Sequence, residues 1–471
     1  MMQPDSVTAT IAEFTATCRS EDLTAAQVRL ITRHYLDAVG CAVGGMDAGP
    51  SRIARALARA STTRSGCTVL GIEEPVVAEQ AAFAGVCMVR QLDYNDSFRG
   101  GGHPSDMTPA IICAAEMSDA TGLEAVRGIF IAYEVFAALS ESYAIREAGW
   151  DQGPFVAVAT AMGTGALLGL AKDQLAHAVS LALVPNLALH CTRTGELSNW
   201  KGCATAHAAM TGLFAARLAL LGMTGPVAPF EGVDGFHRQV PPRTAVAFRH
   251  PREGQSAIER STIKRYPAVI HTQGVIEVLL RVRNQVKIDE IERLHIDTYA
   301  ASWFAVGGGG GDKEEKWHPC TRETADHSLP FVAALSLLDG DVTVSSFAEN
   351  RLQDPLVSGL MRKMTVRPRE DLTALFPDER RSEITVDLRN GTSIKETTAF
   401  ALGTPQHPMT DAQVADKFVT LVKPILGDRD CADLMAALWR LPEFSHIGGL
   451  TRRFRRSAQQ SERGDSLIQL K

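Results

Sequence analysis

The sequence predicts a mainly α protein carrying a small α+β piece in its middle. Three observations lead there. Alanine- and leucine-rich stretches with helical spacing fill roughly the first 260 residues, strand-like segments and an Asn-Gly turn lie between residues 292 and 398, and helical spacing returns from Thr410. At 471 residues the chain exceeds the usual size of one domain.

The elements follow in order. Thr24 caps AAQVRLITRHYLDAVGCAVGG, where Val28, Ile31, Tyr35, Leu36 and Val39 recur at helical spacing before glycines end the run. Residues 153–170, 172–184 and 201–222 read as further helices, and their small side chains suit a multilayer bundle of closely packed, buried helices. Beyond residue 260, HTQGVIEVLLRVRN (271–284) is helical, ERLHIDTYA (292–300) alternates as a strand does, and TRETADHSLPFVAALSLLDG (321–340) returns to helical spacing. MTVRPR and EITVDLRNGTSIKETT add β-rich segments, the second a hairpin turned at Asn390 and Gly391.

DAQVADKFVTLV and CADLMAALWRL are helical, and the simplest arrangement packs them back on the first domain. The expected organisation is therefore a helical domain over 1–262, an α+β domain over 263–403, a helical return over 404–450 and a flexible tail over 451–471. Five glycines at 307–311 read as a mobile loop between the sheet and the next helix. They lack the pattern and the strand-to-helix setting of a nucleotide site.

Composition narrows the function. An apolar fraction of 45%, a charged fraction of 22% and a formal net charge of -6 are those of an ordinary soluble protein, so neither a nucleic acid nor a membrane is expected as partner. Nine cysteines without a CxxC pair, and an N-terminus without a signal pattern, fit reduced thiols in the cytoplasm and no metal centre. His177, His190 and His207 read as packing residues rather than metal ligands.

Ionisable groups concentrate in three segments. LDYNDSFRGGGHPSD (92–106) brings Asp93, Asp96, Ser97 and His103 around three glycines, either a solvated turn or a proton-transfer site. GELSNWKGCATAHAA sets Lys201 at a helix start, where a cation is unfavourable unless an anion offsets it, and TIKRYPAVIHTQ contains Lys264, Arg265 and His271. In KWHPCTRETADHSLPF (316–331), Arg322, His327 and Ser328 either orient a ligand or tie the helix to its neighbour.

Together with GWDQGPF and MTGPVAPFEG, these segments resemble the 2-methylcitrate dehydratase (MmgE/PrpD) family over roughly residues 20 to 440. The resemblance implies a helical domain built from both chain ends, an inserted α+β lid and a homodimer. It also implies proton chemistry beside a carboxylate of a small polycarboxylate substrate, with no cofactor. It carries active-site positions onto Asp93, Ser97 and His103, with Ser97 standing where some relatives have threonine. Substrate-contacting lysines are carried onto Lys201 and Lys264, and His271 ends the same motif.

Two positions depart from that pattern: Gln152 near a histidine of several relatives, and Phe331 where tyrosine is frequent. The expected reaction is dehydration of 2-methylcitrate or a related hydroxy polycarboxylate. Lys201 and Lys264, assisted by Arg265, would neutralise substrate carboxylates; Asp93 or His103 would be the base; Ser97, His271 and His327 would contact substrate. The alternatives are epimerisation, isomerisation or decarboxylation of a related polyacid, and a noncatalytic polyacid-binding role.

Overall fold

Two separate hydrophobic cores organise the computed structural model, which describes residues 3–456 except 100 and 187. One core gathers buried side chains from Val7 to Ile263 and then from Met409 to Phe454. The other uses Tyr266 to Leu388 alone. The chain thus leaves the first core after Ile263, builds the second, and comes back.

The first core is helical. Its long elements are α1 (Ala25–Gly45), α2 (Ala78–Arg90), α3 (Gly122–Ser142), α4 (Gly153–Leu167) and α5 (Trp200–Leu220). Thr24 caps α1 as its sequence predicts, accepting from the Gln27 N–H while the Gln27 side chain returns the bond to Thr24 N–H. Almost every residue of α4 is buried, so its uniformly apolar sequence is that of a helix surrounded by others. α5 is long and apolar enough to cross a membrane by length and composition, but 56% of its apolar window is buried inside the fold.

The second core pairs helices with a four-stranded sheet. α6 (Gln273–Arg283) and α7 (Leu329–Asp339) supply the helical layer. After a short strand β1 (Thr62–Cys67) in the first domain, the sheet comprises β2 (Ile291–Thr298), β3 (Met364–Pro368), β4 (Ser382–Leu388) and β5 (Ser393–Thr398) in the order β3-β2-β4-β5. β2 and β3 are parallel; the other pairs are antiparallel, and the β4–β5 hairpin turns at Asn390–Gly391. Alternation along β4 buries Ser382, Ile384, Val386 and Leu388 on the helix-facing side.

The stretch 321–340 is not one helix. Thr321 caps a short turn, Arg322–Ala325, and Ser328 caps α7 by accepting from the Phe331 N–H. Pro330 explains the restart: it has no N–H to give, and its ring would clash with the carbonyl four residues earlier. Asp326 and His327 fall in the resulting gap.

α8 (Asp411–Trp439) closes the first core against α1, where the missing side chain of Gly40 lets the Phe418 ring approach. The expected tail begins later than residue 451, because residues 451–456 complete a helix, Gly448–Arg456, that buries Thr451 and Phe454; residues 457–471 lie outside the described residues. The five glycines follow a short helix, Ala300–Val306, that intervenes after β2, and lead into Lys313–Trp317.

Candidate active site

A cavity of about 510 Å³ opens between the two domains. Ser97, His103, Arg146 and Gln152 line it from the first domain, and His271, His327, Phe376 and Arg380 from the second.

The segment that follows α2 forms one wall. Asp96 is wholly buried and holds the segment in place: one carboxylate oxygen accepts from Ser105 N–H (3.0 Å) and Oγ–H (2.6 Å), the other from the Tyr133 hydroxyl (2.7 Å). The Asp96 carbonyl lies 2.6 Å from His103 Nδ1. A carbonyl only accepts, so Nδ1 carries the proton and Nε2 keeps its lone pair. Burial, with the charges of Arg90 and Lys264, holds the His103 pKa well below its usual value, and the imidazole is neutral.

Glycine makes that approach possible. Gly102 has φ +90, and a Cβ there would lie 2.3 Å from Gln152 Oε1 and 2.4 Å from the Phe136 ring. Gln152 in turn accepts from the His103 N–H at 3.3 Å. Ser97 is buried at the cavity wall, its backbone paired with Thr262 in both directions.

Behind the imidazole lies an ion cluster. Asp93, at a left-handed φ of 48, is fully buried. Its carboxylate meets Arg90 (2.8 Å), Lys264 (2.5 Å), Lys201 (3.3 Å) and His327 Nδ1 (3.3 Å). His103 Nε2 is 3.9 Å away. Asp326 bonds both Lys201 Nζ (2.5 Å) and His327 Nδ1 (2.7 Å).

Burial pushes the Asp93 carboxyl upward, but the charges of Arg90, Lys264 and Lys201 outweigh it and hold the pKa well below the usual carboxylate range. Burial brings Lys264 down to about 8 against the pull of Asp93. For His327, burial and then the Lys201 charge bring the pKa down to about 3, so this imidazole is also neutral. Asp93, Asp326 and His327 hold ligand atoms within 4.8 Å of one another, the reach of a metal site. Two ammonium groups and a guanidinium already occupy the carboxylates, which makes the cluster a poor host for a further cation.

Several expectations change here. Lys201 and Lys264 converge as anticipated, but on Asp93 and Asp326; both are buried and neither lines the cavity, so direct neutralisation of substrate is not what their geometry offers. Asp93 is likewise behind the wall, and its low pKa suits a counter-ion rather than a base. Arg265 is off the cavity, its guanidinium over the Tyr266 ring. Phe331 lies in the second core near Phe347, away from the cavity. His271 does line the cavity, with Nδ1 2.6 Å from the Tyr299 hydroxyl.

Sequence reasoning missed Arg90, Arg146, Arg380 and Asp326. Asp326 and Arg146 stood within or beside segments already singled out; Arg380 offered no local signal at all.

The comparisons divide the chain where it passes from the first core to the second, and the second match runs on into the helices that return to the first core. A family model described as the MmgE/PrpD N-terminal domain matches residues 9–248, and one described as the MmgE/PrpD C-terminal domain matches residues 266–441. The chain is 27% identical over 399 residues to a 2-methylcitrate dehydratase of Escherichia coli O157:H7, covering 78% of this chain and 80% of that one. It is 26% identical over 364 residues to a 2-methylcitrate dehydratase of Cupriavidus necator, covering 70% and 72%. Against a mitochondrial 2-methylcitrate dehydratase of Yarrowia lipolytica it is 25% identical over 395 residues, covering 77% and 73%.

Proposed function

Because this chain belongs to the MmgE/PrpD family, we propose that it is a hydro-lyase acting on 2-methylcitrate or a closely related hydroxy polycarboxylate in the cytoplasm, with no cofactor. One observation carries the reading: a neutral imidazole, His103, is fixed by the Asp96 carbonyl so that Nε2 stands unprotonated at the wall of a basic cavity.

His103 Nε2 takes the proton from the carbon beside a substrate carboxylate. A depressed pKa keeps the base unprotonated, and the imidazolium formed in the step gains the attraction of Asp93, 3.9 Å away. Arg90, at the wall beside Asp93 and within the field of His103, supplies positive charge where negative charge builds on the adjacent carboxylate. The lysines act one layer back, keeping Asp93 and Asp326 ionised and in place.

His327 reaches the same cavity from the other domain. Its Nδ1–H is directed at Asp326 and Asp93, which orients the opposite ring edge toward substrate. It is the group we assign to the departing hydroxide, with the proton delivered by Nε2 once the bound anion has raised its pKa. Ser97 orients the substrate.

Incubation with a panel of hydroxy polycarboxylates in deuterium oxide, followed by proton NMR, tests the reading. Alkene formation is expected, and His103→Asn should lower turnover about 10²- to 10⁴-fold, the usual contribution of a general base. Deuterium incorporation with inversion and no alkene, or carbon dioxide release, would replace dehydration with epimerisation or decarboxylation. Binding without any product would leave a polyacid-binding protein.

A further inference from the structure

We infer that Arg146 and Arg380, one from each domain, clamp a substrate carboxylate other than the one beside the reacting carbon, and so select tricarboxylates over dicarboxylates. This rests on the polycarboxylate reading of the same cavity and assigns to it two residues that no local motif announces.

Elimination leads to the pair. Of the arginines on the cavity wall, Arg90 is bonded to Asp93 and near Asp106, Arg193 holds Asp151 through two nitrogens at 2.9 and 3.2 Å, and Arg99 pairs with Asp378. Glu147, also at the wall, pairs with Arg243. Among the described residues no carboxylate lies within ion-pairing distance of Arg146 or Arg380. The Arg380 side chain gives Nη2 to the Arg99 carbonyl (2.8 Å), and its buried Nε has no hydrogen-bond partner.

That buried Arg380 donor is costly unless an acceptor completes it, and Arg146 stands exposed at the same cavity. Arg146 lies so close to Gly101 that a Cβ there would stand 2.5 Å from its Nη2; a glycine with φ +96 is what admits it. His271, which lines the cavity too, has its pKa held well below the usual value by burial and then by the charges of Arg380 and Arg146, which places all three within one another's field. His103 and His327, around Asp93, mark the reacting end, and the arginine pair marks another. A guanidinium presents a planar fork that fits a carboxylate through two hydrogen bonds.

The test is binding without chemistry. Propane-1,2,3-tricarboxylate has no hydroxyl to lose, and 2-methylsuccinate is the same skeleton lacking one terminal carboxylate. Calorimetric titration of the full-length protein should show the tricarboxylate binding at least about tenfold tighter, as expected for one added charge-assisted pair. Arg380→Gln and Arg146→Gln, made separately, should each weaken the tricarboxylate about tenfold or more and change 2-methylsuccinate by less than about threefold. Equal weakening of both ligands, or no weakening of either, overturns the clamp. Because no turnover is read, a chain that dehydrates nothing can still show the selectivity, and a working dehydratase can still fail to show it.

Discussion

Asp93 is the residue on which the site turns, and its conformation is one a side chain seldom accepts. Its φ of 48 is tolerated because four partners hold the carboxylate. Asp93→Asn keeps the shape and removes the charge, leaving Arg90 with Asp106, Lys201 with Asp326, and Lys264 with no carboxylate of the described residues in ion-pairing distance. We expect a loss of about 3 to 5 kcal/mol in denaturant unfolding, the usual result of breaking a buried ion cluster from one side. His327 gives a pH prediction. Its folded pKa of about 3 lies below the ordinary 6.5, so as pH falls through 6.5 the unfolded chain takes up a proton that the folded chain refuses. Stability from this group is complete above 6.5 and is lost as pH drops toward 3. His327→Gln should flatten that part of the curve of melting temperature against pH; an unchanged acid slope would mean that the imidazole is already charged when folded.

At the scale of elements, local chemistry decided what could be read in advance. Thr24, and Asn390 with Gly391, are short-range signals that need no tertiary partner, and both helix α1 and the hairpin stand where they indicate. Gly391 has φ +84 with open space around it, so Gly391→Ala should cost about 1 kcal/mol through backbone strain alone and leave catalysis intact, measured by melting temperature and turnover together. Gly102→Ala is the contrast. Its added carbon meets Gln152 and Phe136 and must displace His103, so activity should fall far more than stability. The gap at Asp326–Ser328 was harder to see, because residues 321–340 keep helical spacing across it and only Pro330 marks the restart. Arg146 and Arg380 were illegible for a different reason: an arginine becomes a site residue only when the fold leaves it unpaired beside a cavity. The lysines were found, but spacing says nothing of which carboxylate a buried ammonium will meet.

For the whole molecule, the return of the C-terminal helix and the meeting of the two cores share one cause. Lys417 on α8 is buried, with Nζ 2.6 Å from Asp37, 2.7 Å from the Tyr94 carbonyl and 3.0 Å from the Lys264 carbonyl. The chain end therefore fastens the backbone next to Asp93 and that of Lys264, on either side of the ion pair that joins the 92–106 segment to the start of the second domain. A second joint between the domains is lighter, made by Arg99 with Asp378 and by Arg380 with the Arg99 carbonyl. The joint behind the cavity wall is locked by buried charge, while the second is tied by partly exposed groups, and opening should occur there. A ligand held from both domains would secure it. Propane-1,2,3-tricarboxylate at about a hundred times its Kd should add about 2.7 kcal/mol to stability. In hydrogen exchange, protection should rise together in residues 97–99, 101–103 and 376–381, which come from different domains and reach the same cavity. Protection confined to one segment would mean that the ligand engages a single domain, and the two cores would then move independently of what binds between them.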